Sequence, residues 1–328
     1  MRILITGGGG FVGSHLVASQ LRQNHIVRTI DLNFQQTATM LNHPRLQVVV
    51  GDVTDSALMA SLLSNIDIVY HLASAHLDTS LSDQFYRAVN VDATRSLLEA
   101  AHAAGVGRFV HCSTNGVLGS VEQPPADEES VCSPTNIYER TKLQGENVVL
   151  EYAASASISV VVARPSWIYG PRCPRTAKLM RTVAKGRFLM FGDGATLRHP
   201  IYVADAVSGL ESCAESGHDG QVYFIVGPQP VTLTKLVQSC ASVQSRNVQI
   251  VHLPISLGIA ATYSVEWGCS TLGVTPPVTR RTMDFFTKTN AYSGAKAARQ
   301  MGFTAQTDLE EGLRLTHEWM AASRSGSN

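Results

Sequence analysis

Tyr138 and Lys142 close the run Tyr138-Glu139-Arg140-Thr141-Lys142. Four residues apart, they share one face of any helix that carries them. A phenol has a pKa of about 10 in water. A neighbouring ammonium favours its ionised form and brings it toward working pH, where proton exchange with a bound molecule is efficient. The pair alone is a common coincidence. Ser113-Thr114 strengthens it, because this dipeptide directly follows the apolar run Phe109–Cys112. The end of such a strand is where ligands sit in open α/β sheets. Thr114 can donate to, and accept from, a substrate oxygen beside Tyr138; a turn or helix-capping hydroxyl is the plainer role for it. Asn115 follows at the same edge and is expected to face substrate. His76 lies just beyond another apolar run and borders the same place.

A glycine-rich loop supplies the second half of the chemistry. Thr6-Gly7-Gly8-Gly9-Gly10-Phe11-Val12-Gly13 joins an apolar run to a helical pattern. Gly7 permits the tight turn, Gly10 clears space for a pyrophosphate, and Gly13 lets the helix lie close to the sheet. Phe11 and Val12 open that helix, whose N-terminus offers backbone N–H groups to phosphates. Strand before and helix after are the context that makes the motif meaningful. Asp31 ends the next apolar run, where a carboxylate accepts from a ribose diol and repels a 2′-phosphate. The expected cofactor is therefore NAD rather than NADP, and its oxidised ring adds a second positive charge favouring a Tyr138 phenolate. Asp52, in Gly51-Asp52-Val53, is placed to accept from the adenine amino group, with Val53 beside it; capping a helix that starts near Ser56 is the competing role.

These groups need a scaffold, and the hydrophobic pattern supplies one. Apolar runs at Ile3–Thr6, Ile26–Ile30, Leu46–Val50, Ile66–Leu72, Phe109–Cys112 and Ser159–Ala163 read as buried strands. Helical spacing separates them at residues 12–23, Val91–Ala104 and Tyr138–Ala153. Such alternation predicts an α/β fold, a doubly wound parallel sheet of Rossmann type. After residue 170 the segments shorten and prolines gather. The expected division is a cofactor-binding domain over 1–170 and a smaller α/β substrate domain over 171–328, with a strand and helix near 201–214 returning to the first. The last residues, 324–328, read as a frayed tail.

Composition excludes several classes. The chain has 328 residues, with 26 basic and 26 acidic side chains, so no global field draws it to nucleic acid or anionic membrane. No apolar run is long enough for a clear membrane span, and no leader pattern precedes the first strand. The six cysteines lie far apart, as buried thiols of a reducing, cytoplasmic setting would. No histidine or cysteine has metal-ligand spacing. Residues 172–198 carry a local net charge of +6, Asp193 being their only acid. Lys178 and Arg198 within it, with Arg280 and Arg281 further on, are candidate phosphate contacts; a solvated basic face is the alternative. Residues 248–279 hold one charged side chain, Glu266, and read as an apolar pocket wall, a core segment or a subunit contact.

Taken together, the chain resembles the extended short-chain dehydrogenase/reductase family, the NAD-dependent epimerase/dehydratase group. Besides the glycine loop, the carriers are His71-Leu72-Ala73, Asn90-Val91, Val117-Leu118-Gly119, Tyr138 with Lys142, Arg164-Pro165, Tyr169-Gly170-Pro171, Tyr202-Val203 with Asp205, and a closing Leu309-Glu310-Glu311-Gly312. The resemblance implies Tyr138 as acid and base, Lys142 on the nicotinamide ribose, and Thr114 at the family's serine/threonine position. It implies Leu72, Ala73 and Pro165 against NAD, and Asn90 supporting the backbone or the cofactor. Relatives commonly form homodimers through two helices, here 91–104 and 138–153. Two departures bear on substrate. The family's 4,6-dehydratases follow the threonine with Asp-Glu, and this chain has Asn115-Gly116, so dehydration is disfavoured. The asparagine often found after the Arg-Pro strand gives way to Ser166-Trp167.

Two substrate classes remain. A nucleotide-diphosphate sugar fits the basic segment and implies epimerisation through a ketone. An apolar alcohol or ketone fits residues 248–279, which resemble the 3β-hydroxysteroid dehydrogenase-like branch. The first is the leading expectation. A non-catalytic NAD-binding regulator is opposed by Thr114, Tyr138 and Lys142 all being present.

Overall fold

The computed structural model describes residues 1–76, 81–155, 158–272 and 280–325. Seven parallel strands form the central sheet. In chain order they are β1 (Arg2–Thr6), β2 (Ile26–Asp31), β3 (Leu46–Val50), β4 (Ile68–His71), β5 (Arg108–Cys112), β6 (Ser159–Pro165) and, after four short strands, β11 (Gln221–Ile225). Their spatial order is β11-β6-β5-β4-β1-β2-β3. The central strands β1, β4, β5 and β6 are buried over most of their length because both faces are covered. Ile3 and Ile5 of β1 join one core cluster, and Leu4 between them joins the other. Val161 and Ala163 of β6 divide from Val160 and Val162 in the same way, the alternation that a pleated strand imposes.

One face carries α1 (Phe11–Arg22) and α7 (Val203–Ser216), which pack together. The other carries α2 (Ser56–Ser61), α3 (Asp83–Arg87), α4 (Ala93–Ala103) and α5 (Ile137–Ser155). Between α3 and α4 the chain makes a π-turn over Ala88–Asp92. The helix expected to begin at residue 91 thus begins at 93, and the strand expected over 66–72 is confined to 68–71.

The remaining elements are shorter. They are β7 (Trp167–Tyr169), α6 (Pro174–Val183), β8 (Arg187–Phe191), β9 (Leu197–Arg198), β10 (Pro200–Tyr202), β12 (Val231–Thr232), α8 (Leu233–Ser242), β13 (Gln249–Leu253), α9 (Ile255–Leu272), α10 (Arg280–Thr287), α11 (Ala295–Met301) and α12 (Leu309–Ser325). They pair locally, as β7 with β10, β8 with β13 and β9 with β12. The chain does return to the main sheet, but through α7 and β11: β10 pairs with β7 instead. Arg324 lies within α12, and residues 326–328 lie outside the described residues. Of the nearly uncharged segment, 249–253 form β13 and 255–272 form α9, while 273–279, with Thr275 to Thr279, lie outside the described residues. Ile255, Leu257, Ile259 and Tyr263 of α9 are exposed. No helix among the described residues is long and apolar enough to cross a membrane.

Candidate active site

The strand order reverses at β1, which lies between β2 and β4. The loops after the adjacent strands β1 and β4 lead to helices on opposite faces and so leave a crevice at the carboxyl edge. A groove of about 590 Å³ occupies it, running from the glycine loop past Tyr138 to the loop after α10.

The glycine loop closes by backbone contact. Gly7 has φ +76°, and a Cβ there would lie 2.7 Å from the Ala73 nitrogen at the end of β4. A Cβ on Gly13 would lie 2.0 Å from the Gly7 carbonyl oxygen. Gly8 and Gly9 also pack closely, against the Thr29 hydroxyl and the Asn33 carbonyl, a role the motif spacing does not reveal. Gly10 caps α1 without a side chain and borders the groove with Phe11 and Val12. The first-turn N–H groups are left to an anion. Asp31 accepts from the Gly9 N–H at 3.0 Å and from the Leu32 N–H at 2.7 Å. A carboxylate has about four acceptor positions, so positions remain toward the groove it borders. Asp52 borders the groove as well. Its Oδ1 accepts from the Thr54 N–H, and Asp55, not Asp52, caps α2. Val53, Leu72, Ala73 and Pro165 line the same stretch. This cradle fits a dinucleotide with free ribose hydroxyls.

Tyr138 sits in the first turn of α5, started by Asn136, whose Oδ1 accepts from the Glu139 N–H at 3.0 Å. The Tyr138 ring meets the His76 ring edge-on at 4.5 Å between centroids, and both border the groove. Lys142, one turn on, is 2 % exposed and donates to the Cys112 carbonyl at 2.7 Å. Burial pushes its ammonium below the usual lysine range, and the charge of Glu146 acts the other way. The bond ties the helix bearing Tyr138 to the strand end bearing Thr114. Thr114 caps a short 3₁₀ turn, its Oγ1 accepting from the Gly116 N–H at 3.1 Å. Its own hydroxyl hydrogen remains for a ligand in the groove. Asn115 borders the groove too, and its carboxamide is buried with no partner among the described residues.

The histidines behind the site are structural. His71 bridges the Thr6 and Thr94 hydroxyls at 2.8 and 3.0 Å, and burial pushes it down to about 3, so it stays neutral. No cluster among the described residues could hold a metal ion.

The structure departs from expectation at several residues. Asn90 is buried and does not line the groove; its carboxamide clamps Ala75 through both backbone atoms and donates to Thr141 Oγ1. It supports the backbone of the loop carrying His76, the first of the two roles expected for it. Lys142 likewise lies behind the groove wall. Lys178 is exposed one turn along α6 and does not line the groove; Arg175 does. Arg198 borders the groove, but its guanidinium donates to the carbonyls of Leu197, Asp284, Phe285 and Lys288. Carbonyls at and just beyond the end of α10 take these donors, that of Asp284 in addition to the Lys288 N–H. The side chains of Arg280 and Arg281 lie outside the described residues. No described residue of 248–272 lines the groove.

Four residues that sequence reasoning passed over form the far wall: Glu139, Lys288, Asn290 and Tyr292. Glu139 accepts from the Thr135 N–H and hydroxyl and pairs with Lys288 at 2.9 Å. Burial would raise its carboxyl pKa; these donors outweigh that and hold it low. Tyr292 stacks on His199. Only Glu139 carried a signal, as the neighbour of Tyr138.

Residues 3–226 match the NAD dependent epimerase/dehydratase family, and the chain belongs to it. NAD is its cofactor. The chain is 29 % identical over 349 residues to a dTDP-glucose 4,6-dehydratase of Actinoplanes sp., covering 99 % of each protein. It is 30 % identical to a 2-alkyl-3-oxoalkanoate reductase of Stenotrophomonas maltophilia, over 96 % of this chain and 98 % of the reductase. Its fold is similar to the crystal structure of DesIV, a dTDP-glucose 4,6-dehydratase from Streptomyces venezuelae with NAD and TYD bound. The TM-score there is 0.81 and the identity 26 %, covering 99 % of this chain and 98 % of DesIV.

Proposed function

We propose that this protein catalyses NAD-dependent hydride transfer at a carbinol or ketone carbon of a nucleotide-diphosphate sugar, with net epimerisation through a keto intermediate. The observation that carries the reading is the single groove. It joins the glycine cradle to Tyr138 and Thr114 and ends in a polar wall of Glu139, Lys288 and Asn290. The dTDP-glucose 4,6-dehydratase relatives support the substrate class.

Bound NAD supplies the hydride acceptor and donor. The residues manage position and protons. Tyr138 takes the carbinol proton as the ketone forms and returns it on reduction. Lys142, fixed on the Cys112 carbonyl, keeps positive charge on the tyrosine's helix and favours the phenolate. Thr114 donates to the substrate oxygen. Asn115 and Gly116 offer no carboxylate, so the acid–base pair that follows the threonine in the 4,6-dehydratases is missing at that place, which disfavours loss of water. Epimerisation then requires only that the ketone turn and be reduced on its other face. The same reading carries a homodimer through α4 and α5.

A second reading, reduction of an apolar ketone, is favoured by Trp167, which lines the groove, and by the 2-alkyl-3-oxoalkanoate reductase relative. The test incubates the protein with NAD and UDP-glucose or dTDP-glucose and follows the sugar protons by NMR. An inverted ring carbon is expected, with Tyr138→Phe losing about 10²- to 10⁴-fold in rate while still binding NAD. Turnover of a 3-oxoalkanoate, with none of either nucleotide sugar, overturns the leading reading in favour of the second.

A further inference from the structure

A diphosphate in a largely uncharged groove needs a cation, and the structure narrows the choice. Within 172–198, Lys178, Arg181, Lys185 and Arg187 are exposed and away from the groove. Arg172 donates to Ser14 Oγ at 3.2 Å, against α1. Arg198 is 3 % exposed and spent on four carbonyls. Across the groove, Lys288 is held between Glu139 and Asp284, at 2.9 and 3.1 Å. Arg175 differs from all of these. It stands in the first turn of α6, is exposed, and borders the groove. Among the described residues no acceptor engages its guanidinium.

We propose that Arg175 binds the diphosphate of the substrate and so selects nucleotide-diphosphate substrates. The proposal rests on the nucleotide-sugar reading above. A guanidinium fork matches a phosphate bidentately and stays charged at every working pH. The groove has two possible sources of diphosphate, the substrate and the dinucleotide. The dinucleotide's pyrophosphate already has the open N-terminus of α1 at Gly10. Arg175 is therefore assigned to the substrate.

The test is isothermal titration of UDP, dTDP and, separately, NAD into the full-length protein, Arg175→Ala and Arg181→Ala. Arg181 is an exposed cation on the same helix and controls for general charge. Losing a hydrogen bond between charged groups predicts about 10- to 100-fold weaker binding of the nucleoside diphosphate to Arg175→Ala. NAD affinity should be unchanged, and Arg181→Ala should match the unsubstituted protein. Equal UDP and dTDP affinities for Arg175→Ala and the unsubstituted protein overturn the proposal. So does a loss that falls on NAD, or one that Arg181→Ala shares. If the unsubstituted protein binds NAD but neither UDP nor dTDP, the nucleotide-sugar reading itself fails and takes the proposal with it.

Discussion

Gly13→Ala sets two physical effects against each other. Within a helix alanine is ordinarily better than glycine by about 1 kcal/mol, so α1 considered alone predicts a gain in stability. Its packing predicts a loss. The new Cβ would lie 2.0 Å from the Gly7 oxygen and 2.8 Å from both the Gly7 carbonyl carbon and Gly8 Cα. All three are backbone atoms, so no side-chain rotation relieves the clash. The Gly7 carbonyl must withdraw by roughly 1 Å to reach ordinary contact. That carbonyl accepts from the Gly10 N–H at 3.1 Å, and the Gly10 carbonyl accepts from the Ser14 N–H at 2.9 Å. The backbone groups proposed to cradle the pyrophosphate therefore move with it. A displacement of about 1 Å in a binding constellation costs on the order of 10²-fold, comparable to losing one or two hydrogen bonds to a charged group, about 1.5–3 kcal/mol each. NAD titration should accordingly show a dissociation constant about 100-fold higher. Urea unfolding without NAD should show a lower midpoint. An alanine variant that binds NAD as tightly as the unsubstituted protein, or that unfolds at higher urea, would refute the reasoning.

Two further expectations concern ion pairs beside the site. Arg164 and Glu146 form a pair whose side chains are 5 % and 1 % exposed. Removing one partner strands a buried charge and should cost about 3–5 kcal/mol, read as a lower urea midpoint for Glu146→Ala. Replacing both with apolar residues should recover most of it, and near-neutral single variants would contradict the account. Glu139 has its folded pKa depressed, burial being outweighed by Thr135 and Lys288. Its contribution to stability is therefore complete above the unfolded carboxyl value of about 4.3 and lost as pH falls through the folded one. The difference in urea midpoint between the unsubstituted protein and Lys288→Met should be present at neutral pH and shrink in acid. A difference that persists or widens in acid would show that the pair is not its source.

The sheet and cofactor groove were legible because they depend on local signals. Continuous apolar runs, Gly7 and Gly13 at a strand–helix junction, and Asp31 at the next strand end all lie within short reach in sequence. Tyr138 and Lys142 needed only helical spacing. The far wall was not legible in the same way. Lys288, Asn290 and Tyr292 come from a loop after α10 and reach the site only through tertiary packing. Arg198 shows a different limit. It was a candidate phosphate contact, but carbonyls at the end of α10 claim its donors, and no pattern around residue 198 announces them. Lys178 and Arg175 show a third. They lie about one turn apart on α6, so a choice between them turns on where the helix meets the groove. The π-turn at Ala88–Asp92 was hidden because apolar spacing reads much the same through it.

The segment after α10 works as a strap. The Val121 N–H donates to the Thr289 carbonyl and the Thr289 N–H to Ser120 Oγ, while the Asn290 N–H donates to the Leu197 carbonyl and the Ala126 N–H to that of Ala291. All seven strands of the sheet are complete by Ile225. On the ribosome, therefore, the dinucleotide cradle has all its residues well before Lys288, Asn290 and Tyr292 of the far wall have been synthesised. A nascent or truncated chain at that stage holds the parts for the coenzyme but lacks the strap that completes the far side of the groove.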